Sequence, residues 1–176
     1  MLRIAVHENC EPADELIRIL IDERLRVGAI FSSMNEQNLL KILSLPYIMI
    51  GTDSSARSFD GVTRRGKPHP RGFGSFPRFL GSLAPAIGGM HMNKAIQKIT
   101  LLPAVTFGIS KRGVLREGAY ADITIFDSEK ILDKATYEEP FVQSEGIHFV
   151  FVNGVPALWD RKLTGLRAGR VLRRGK

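Results

Sequence analysis

Tyr47-Ile48-Met49-Ile50-Gly51-Thr52-Asp53 is an uncharged, largely apolar run that stops at a carboxylate, with Pro46 before it and Ser54-Ser55 after it. A short apolar run between turn signals reads as a strand buried on both faces, and such strands belong to parallel sheets covered by helices. A carboxylate where a buried parallel strand ends stands where α/β barrels place acids and bases. Asp53 is therefore the leading candidate for chemistry.

Upstream of that run the pattern alternates. Leu2 to Val6 is predicted as a short strand, and Pro12 with Asp14 opens a helix through Leu16, Ile17, Leu20, Ile21 and Leu25 that ends at Gly28. Ala29-Ile30-Phe31 is predicted as a second strand. Ser33-Met34-Asn35-Glu36 has the form of a capping box for a helix carrying Leu39, Leu40, Ile42 and Leu43. Strand, helix, strand, helix, strand argues for parallel α/β units.

Downstream, residues 54–91 are rich in glycine and proline with little periodicity, which predicts a long functional loop. Asn93 is predicted to open a helix with Ala95, Ile96, Ile99 and Leu102 on one face, stopping at Pro103. From Gly113 the pattern turns to β: Ala121–Asp127 and Ile147–Gly154 are strand-like runs, and Asn153-Gly154 is a strong hairpin signal. Trp159 and the alternation of Phe149 and Phe151 read as β core. His69 lies between Pro68 and Pro70 and reads as structural, stiffening the loop; Gly72 and Gly74 read as sharp turns.

Composition narrows the class. The 176 residues are 44% hydrophobic, enough for a core, and no window approaches a membrane span. The N-terminus lacks a signal peptide's apolar centre, so the expected compartment is the cytoplasm. Cys10 is the single cysteine and reads as a packing residue; it can form no intrachain disulfide or cysteine-based zinc site. The net charge of +7 gathers at Arg57, Arg64, Arg65, Lys67, Arg71 and Arg78 and again in the tail from Arg161 to Lys176. No aromatic residues interleave the tail charges for base stacking, which weighs against nucleic acid.

Four motifs then occur in a telling order: Gly51-Thr52-Asp53, the loop from His69-Pro70-Arg71 to Gly81, Thr100-Leu101-Leu102-Pro103-Ala104, and Gly113-Val114-Leu115-Arg116-Glu117-Gly118-Ala119-Tyr120-Ala121-Asp122. With Val152–Pro156 and Gly169–Leu172 at the end, the chain resembles the C-terminal third of an N-acyl-D-amino-acid deacylase (D-aminoacylase) of the amidohydrolase superfamily. The His-Pro-Arg loop narrows the likeness to that branch. The resemblance implies an α/β fold: the C-terminal portion of a metal-dependent (β/α)8 barrel at residues 1–112, with 54–91 as substrate loop, followed by part of a small β-sandwich at 113–176.

It also implies roles. Asp53 matches the family's general base, which takes a proton from the attacking water and returns it to the leaving amine. Its alternative is a turn or capping Asp. Arg71 matches the arginine that grips the substrate's α-carboxylate, a task suited to a planar bidentate donor. Ser54 stands where many members have glycine, and the loop after it is more basic than usual. The family's zinc ligands lie before the region seen here. His7, His69, His91 and His148 are too scattered to replace them, so zinc is expected in the complete enzyme but not in this chain alone, with Asp53 a weak metal contact if the other ligands are supplied. The expected partners are the N-terminal portion or a second copy, and an N-acyl-D-amino acid once complemented. A non-catalytic module binding an anion or a protein is the alternative.

Overall fold

The computed structural model describes residues 2–28 and 33–173, and the chain divides by contacts into two units, residues 1–35 and 36–176. The predicted strand Ala29–Phe31 lies outside the described residues.

The first unit is helical. Leu2–His7 forms α1, not a strand, and Pro12–Asp22 forms α2. Alternation in Leu2, Ile4 and Val6 resembles a strand, but no strand to pair with occurs among the described residues of this unit. A helix satisfies its backbone groups internally. Ala5 becomes the buried residue while Ile4 and Val6 stay exposed. Pro12 enters at the first helical position, where its missing N–H is harmless. α2 ends at Asp22, short of Gly28, because Arg24 and Leu25 adopt left-handed backbone conformations. Glu15 is buried and held by Arg18 through Nη2 at 2.6 Å and Nε at 2.8 Å. Cys10 is exposed rather than packed, with Sγ 3.6 Å from the Glu15 carboxylate.

In the second unit, α3 spans Glu36–Ser44, starting at the glutamate of the predicted capping box rather than directly after Ser33. The run to Asp53 follows, yet it joins no sheet: the sheet among the described residues consists of four later strands. A parallel strand needs neighbours that these residues do not provide. The run is tethered instead by Lys98, whose buried Nζ donates to the carbonyls of Leu45 and, at 2.8 Å, Ile48. Desolvation lowers the Lys98 pKa.

Residues 54–70 are irregular apart from one turn at Gly61–Thr63, but residues 71–86 of the predicted loop are helical. α4 spans Arg71–Arg78, a π-helical turn covers Phe79–Leu83, and α5 is the short Ala84–Ala86. Glycine and proline hid this helix in the sequence. Gly72 and Gly74 are not turns: a methyl group on Gly74 would come within 2.8 Å of the Asp133 Cβ, and one on Gly81 within 2.0 Å of the Ile131 carbonyl oxygen. They let the helix lie against residues 131–133. Pro77 removes the N–H that would bond the Phe73 carbonyl, and the Ser144 hydroxyl donates to that oxygen at 3.3 Å.

α6 (Met92–Ile99) breaks at Thr100, whose φ of −128° and ψ of −81° are not helical. α7 (Leu101–Thr106) then carries Pro103 within its first turn, so the proline lies inside a second helix rather than ending the first. The core joins Leu43, Phe79, Leu80, Ala84, Ile87, Ala95 and Ile131, packing α3, the π turn and α6 together. Each large side chain buried there contributes roughly 1.5–3 kcal/mol.

The last part is an antiparallel meander of β1 (Ile123–Phe126), β2 (Ile147–Val152), β3 (Val155–Trp159) and β4 (Lys162–Leu163), in sheet order β1-β2-β3-β4. Asn153 and Gly154 make the predicted two-residue turn, with φ of 51° and 82°. Both signs match the type I′ turn that suits twisted hairpins. Asp122 accepts the Asn153 amide at 2.8 Å and Arg112 donates to the Asn153 side chain at 2.6 Å, fixing the turn to the strand start. Trp159 is not core: it is 54% exposed, its ring 5.1 Å from Phe149 and 6.1 Å from Phe151. Val150 and Leu158, with Ile123 and Phe126, line an apolar groove of about 740 Å3 shared with Phe76, Leu80 and Ile99.

Candidate active site

Asp53 adopts a left-handed backbone conformation, φ 45°, which Asp tolerates better than most residues. The turn swings its side chain out of the chain's path, leaving it 89% exposed. Arg71, the first residue of α4, reaches back across eighteen positions. Its Nη2 lies 2.9 Å from Asp53 Oδ2 and its Nε donates to the Asp53 carbonyl at 3.1 Å. One guanidinium thus holds both the side chain and the backbone of the same residue.

The two residues singled out for chemistry therefore meet, although sequence gave no contact between them. An exposed ion pair contributes about 0–1 kcal/mol, so this one is a matter of placement rather than stability. Arg71 has five N–H donors and spends two on Asp53, which leaves donors for a second carboxylate.

Gly72 lies over Ser54, and a methyl group on it would come within 2.8 Å of the Ser54 hydroxyl. That contact explains a glycine beside Arg71 better than a turn does, since Gly72 is helical. His69 is next. Its Nδ1 accepts the Arg71 backbone N–H at 3.0 Å, and its Nε2 lies 2.9 Å from the Tyr137 hydroxyl. Desolvation, with the nearby Arg71 charge second, pushes the His69 pKa below its usual value. Tyr137 had no sequence signal at all: it lies 68 residues from His69, in an irregular stretch between β1 and β2.

The basic residues around the site are partly committed. Arg57 donates to the Arg65 carbonyl at 3.1 Å, Arg64 stacks 5.2 Å from the Phe141 ring centre, and Arg78 pairs with Asp133 at 3.7 Å. These three arginines thus have partners within the chain, although their side chains stay exposed. Among the described residues no three His, Cys, Asp or Glu side chains come together to hold a metal. Asp53 offers one carboxylate, and both ring nitrogens of His69 are engaged. These residues alone do not make a metal centre. No helix among them is long and apolar enough to cross a membrane.

The chain as a whole matches known proteins. The amidohydrolase family model matches residues 30–157, and the chain belongs to that family. More particularly, it is 39% identical over 155 residues to a D-aminoacylase of Alcaligenes xylosoxydans xylosoxydans, covering 88% of this chain and 31% of that protein. An N-acyl-D-glutamate deacylase of the same organism is 37% identical over 84% of the chain and 28% of its own length. Among solved structures, a D-aminoacylase superposes with a TM-score of 0.80 at 37% identity, over 98% of this chain and 34% of that one. The N-acyl-D-glutamate deacylase of Bordetella bronchiseptica, solved with zinc and a phosphonate mimic of the tetrahedral intermediate, gives 0.76 at 35% identity over the same shares. The chain spans about a third of the length of these relatives.

Proposed function

We propose that these residues are the C-terminal portion of a metal-dependent hydrolase that cleaves the amide bond of N-acyl-D-amino acids, active only with the rest of the fold. The observation that carries this is the meeting of Asp53 and Arg71, a proton-transfer group and a carboxylate grip, in a chain of this family. In this reading residues 1–112 are part of a (β/α)8 barrel, and β1 to β4 are part of a small β-sandwich.

Arg71 binds the substrate's α-carboxylate through donors not used on Asp53, which fixes the scissile amide relative to the neighbouring carboxylate. Asp53 takes the proton of the attacking water and passes it to the nitrogen, because an amine cannot leave as an anion. Zinc, where it is bound, polarises the carbonyl and acidifies water. Its other ligands come from polypeptide outside these residues, and Asp53 is at most a weak contact. The exposed Trp159 and Leu163 on the sheet support association with that polypeptide or with a second copy.

The test is complementation. The chain alone should show no hydrolysis of N-acetyl-D-amino acids. Joined to, or mixed with, the remaining two thirds of the protein, it should release the free D-amino acid in a chelator-sensitive way. A complete protein that binds N-acyl-D-amino acids without cleaving them would favour a non-catalytic module instead.

A further inference from the structure

Residues 131–137, between β1 and β2, run alongside the helix that begins at Arg71. Ile131 meets Gly81, Asp133 meets Gly74 and pairs with Arg78, and Tyr137 ends on His69. Each contact is close. The two glycines let the strap approach the helical backbone, so this segment is fixed against α4 at Gly74 and against the π turn at Gly81.

At the far end the chemistry is directional. Arg71 opens α4, so its N–H is one of the donors a helix start leaves without an intrahelical partner. Pro70 has no side chain to cap it, and the His69 ring does so through Nδ1. An accepting Nδ1 carries no hydrogen, which puts the ring proton on Nε2, facing the Tyr137 oxygen. The two rings meet edge to face with centres 5.0 Å apart. Pro68 and Pro70 restrict the backbone on either side of His69.

We propose that Tyr137 and His69 are positioning residues for Arg71: the strap from the β part orients the histidine, the histidine fixes the first amide of α4, and that amide sets where the guanidinium points. The inference rests on Arg71 gripping the substrate carboxylate, as argued above. Neither residue need touch substrate. Their loss should appear in substrate binding, not in proton transfer.

Two measurements test it. In long-range 1H–15N correlation spectra of this chain at neutral pH, His69 should be the tautomer with hydrogen on Nε2, and Tyr137→Phe, which leaves the Nδ1 contact in place, should keep that tautomer but shift the Nε2 resonance and speed hydrogen exchange of the Arg71 amide. In the complemented enzyme with an N-acetyl-D-amino acid, Tyr137→Phe and His69→Ala should each raise KM about fivefold, the loss of one hydrogen bond. Turnover should stay within about twofold. His69→Asn, whose side-chain oxygen can still cap the Arg71 amide, should recover most of the KM lost in His69→Ala. An Nδ1-protonated His69 would overturn the proposal, and so would a Tyr137→Phe enzyme with unchanged KM. If the complemented protein cleaves no acyl-D-amino acid, the proposed function fails, while exchange of the Arg71 amide in Tyr137→Phe still decides whether Tyr137 orients His69.

Discussion

The β1–β4 meander and the run ending at Asp53 are both strand-like in sequence, and they meet different ends. In the meander each strand finds its neighbour within about thirty residues, and β2 and β3 are joined through a turn whose φ angles Asn153 and Gly154 supply locally. The Tyr47–Asp53 run finds no neighbour among the described residues, and a lysine from α6 holds its start in place of a ladder. The difference is one of closure. A meander carries its partners with it, whereas a parallel strand depends on elements separated by whole helices. The site lies on the open side of that comparison: Asp53 is exposed and kept in place by a single arginine.

The comparison can be broken by stability measurements in urea. The largest loss should come from Gly81→Ala, which drives a methyl group into the Ile131 backbone where the helical part meets the β part. Overpacking against backbone should destabilise by about 3 kcal/mol. A loss under ~1 kcal/mol would mean that the two parts do not press on each other. Gly154→Ala should cost about 1–2 kcal/mol, since alanine resists the positive φ of the hairpin. This effect should be confined to the meander, visible as hydrogen exchange in β2 and β3 with α4 unchanged.

A smaller effect tests the Pro77 account. Ser144→Ala should cost about 1 kcal/mol while Pro77 leaves the Phe73 carbonyl without its helical donor. In a Pro77→Ala background the restored N–H takes that oxygen, and the serine should then contribute little, a coupling a double-mutant cycle would show. The smallest effect is with pH. His69 is harder to protonate folded than unfolded, so the unfolded chain binds more protons just below the ordinary histidine pKa near 6.5. Stability should therefore fall as pH drops from 6.5 through the lower folded value, and the slope should shrink in His69→Asn. An identical slope in that variant would show that other groups control it.

What could be read from the sequence follows the same line. α2, α3 and the Asn153-Gly154 hairpin are visible because periodicity, a first-turn proline and a turn pair are local signals. The carboxylate ending an apolar run singled out Asp53 and family likeness singled out Arg71, but only the fold brings them within 2.9 Å. α4 was hidden because Gly72, Gly74 and Pro77 break local rules for the sake of close approach and a serine-satisfied carbonyl. Leu2–Val6 misled because a two-residue alternation also fits a short helix that buries one alanine. Tyr137 was out of reach, since nothing near it in the chain names His69.

The central claim is that Asp53 moves the proton and Arg71 holds the substrate. Steady-state kinetics of the complemented protein with Asp53→Asn and Arg71→Ala, at saturating and limiting N-acetyl-D-amino acid, test it most directly. The account predicts that Asp53→Asn lowers kcat by about 100-fold or more with KM little changed. Arg71→Ala should chiefly raise KM, by the roughly 2–4 kcal/mol of a lost charged contact, with a smaller fall in kcat because Asp53 loses its tether. An Asp53→Asn enzyme that turns over at a near-normal rate would contradict it.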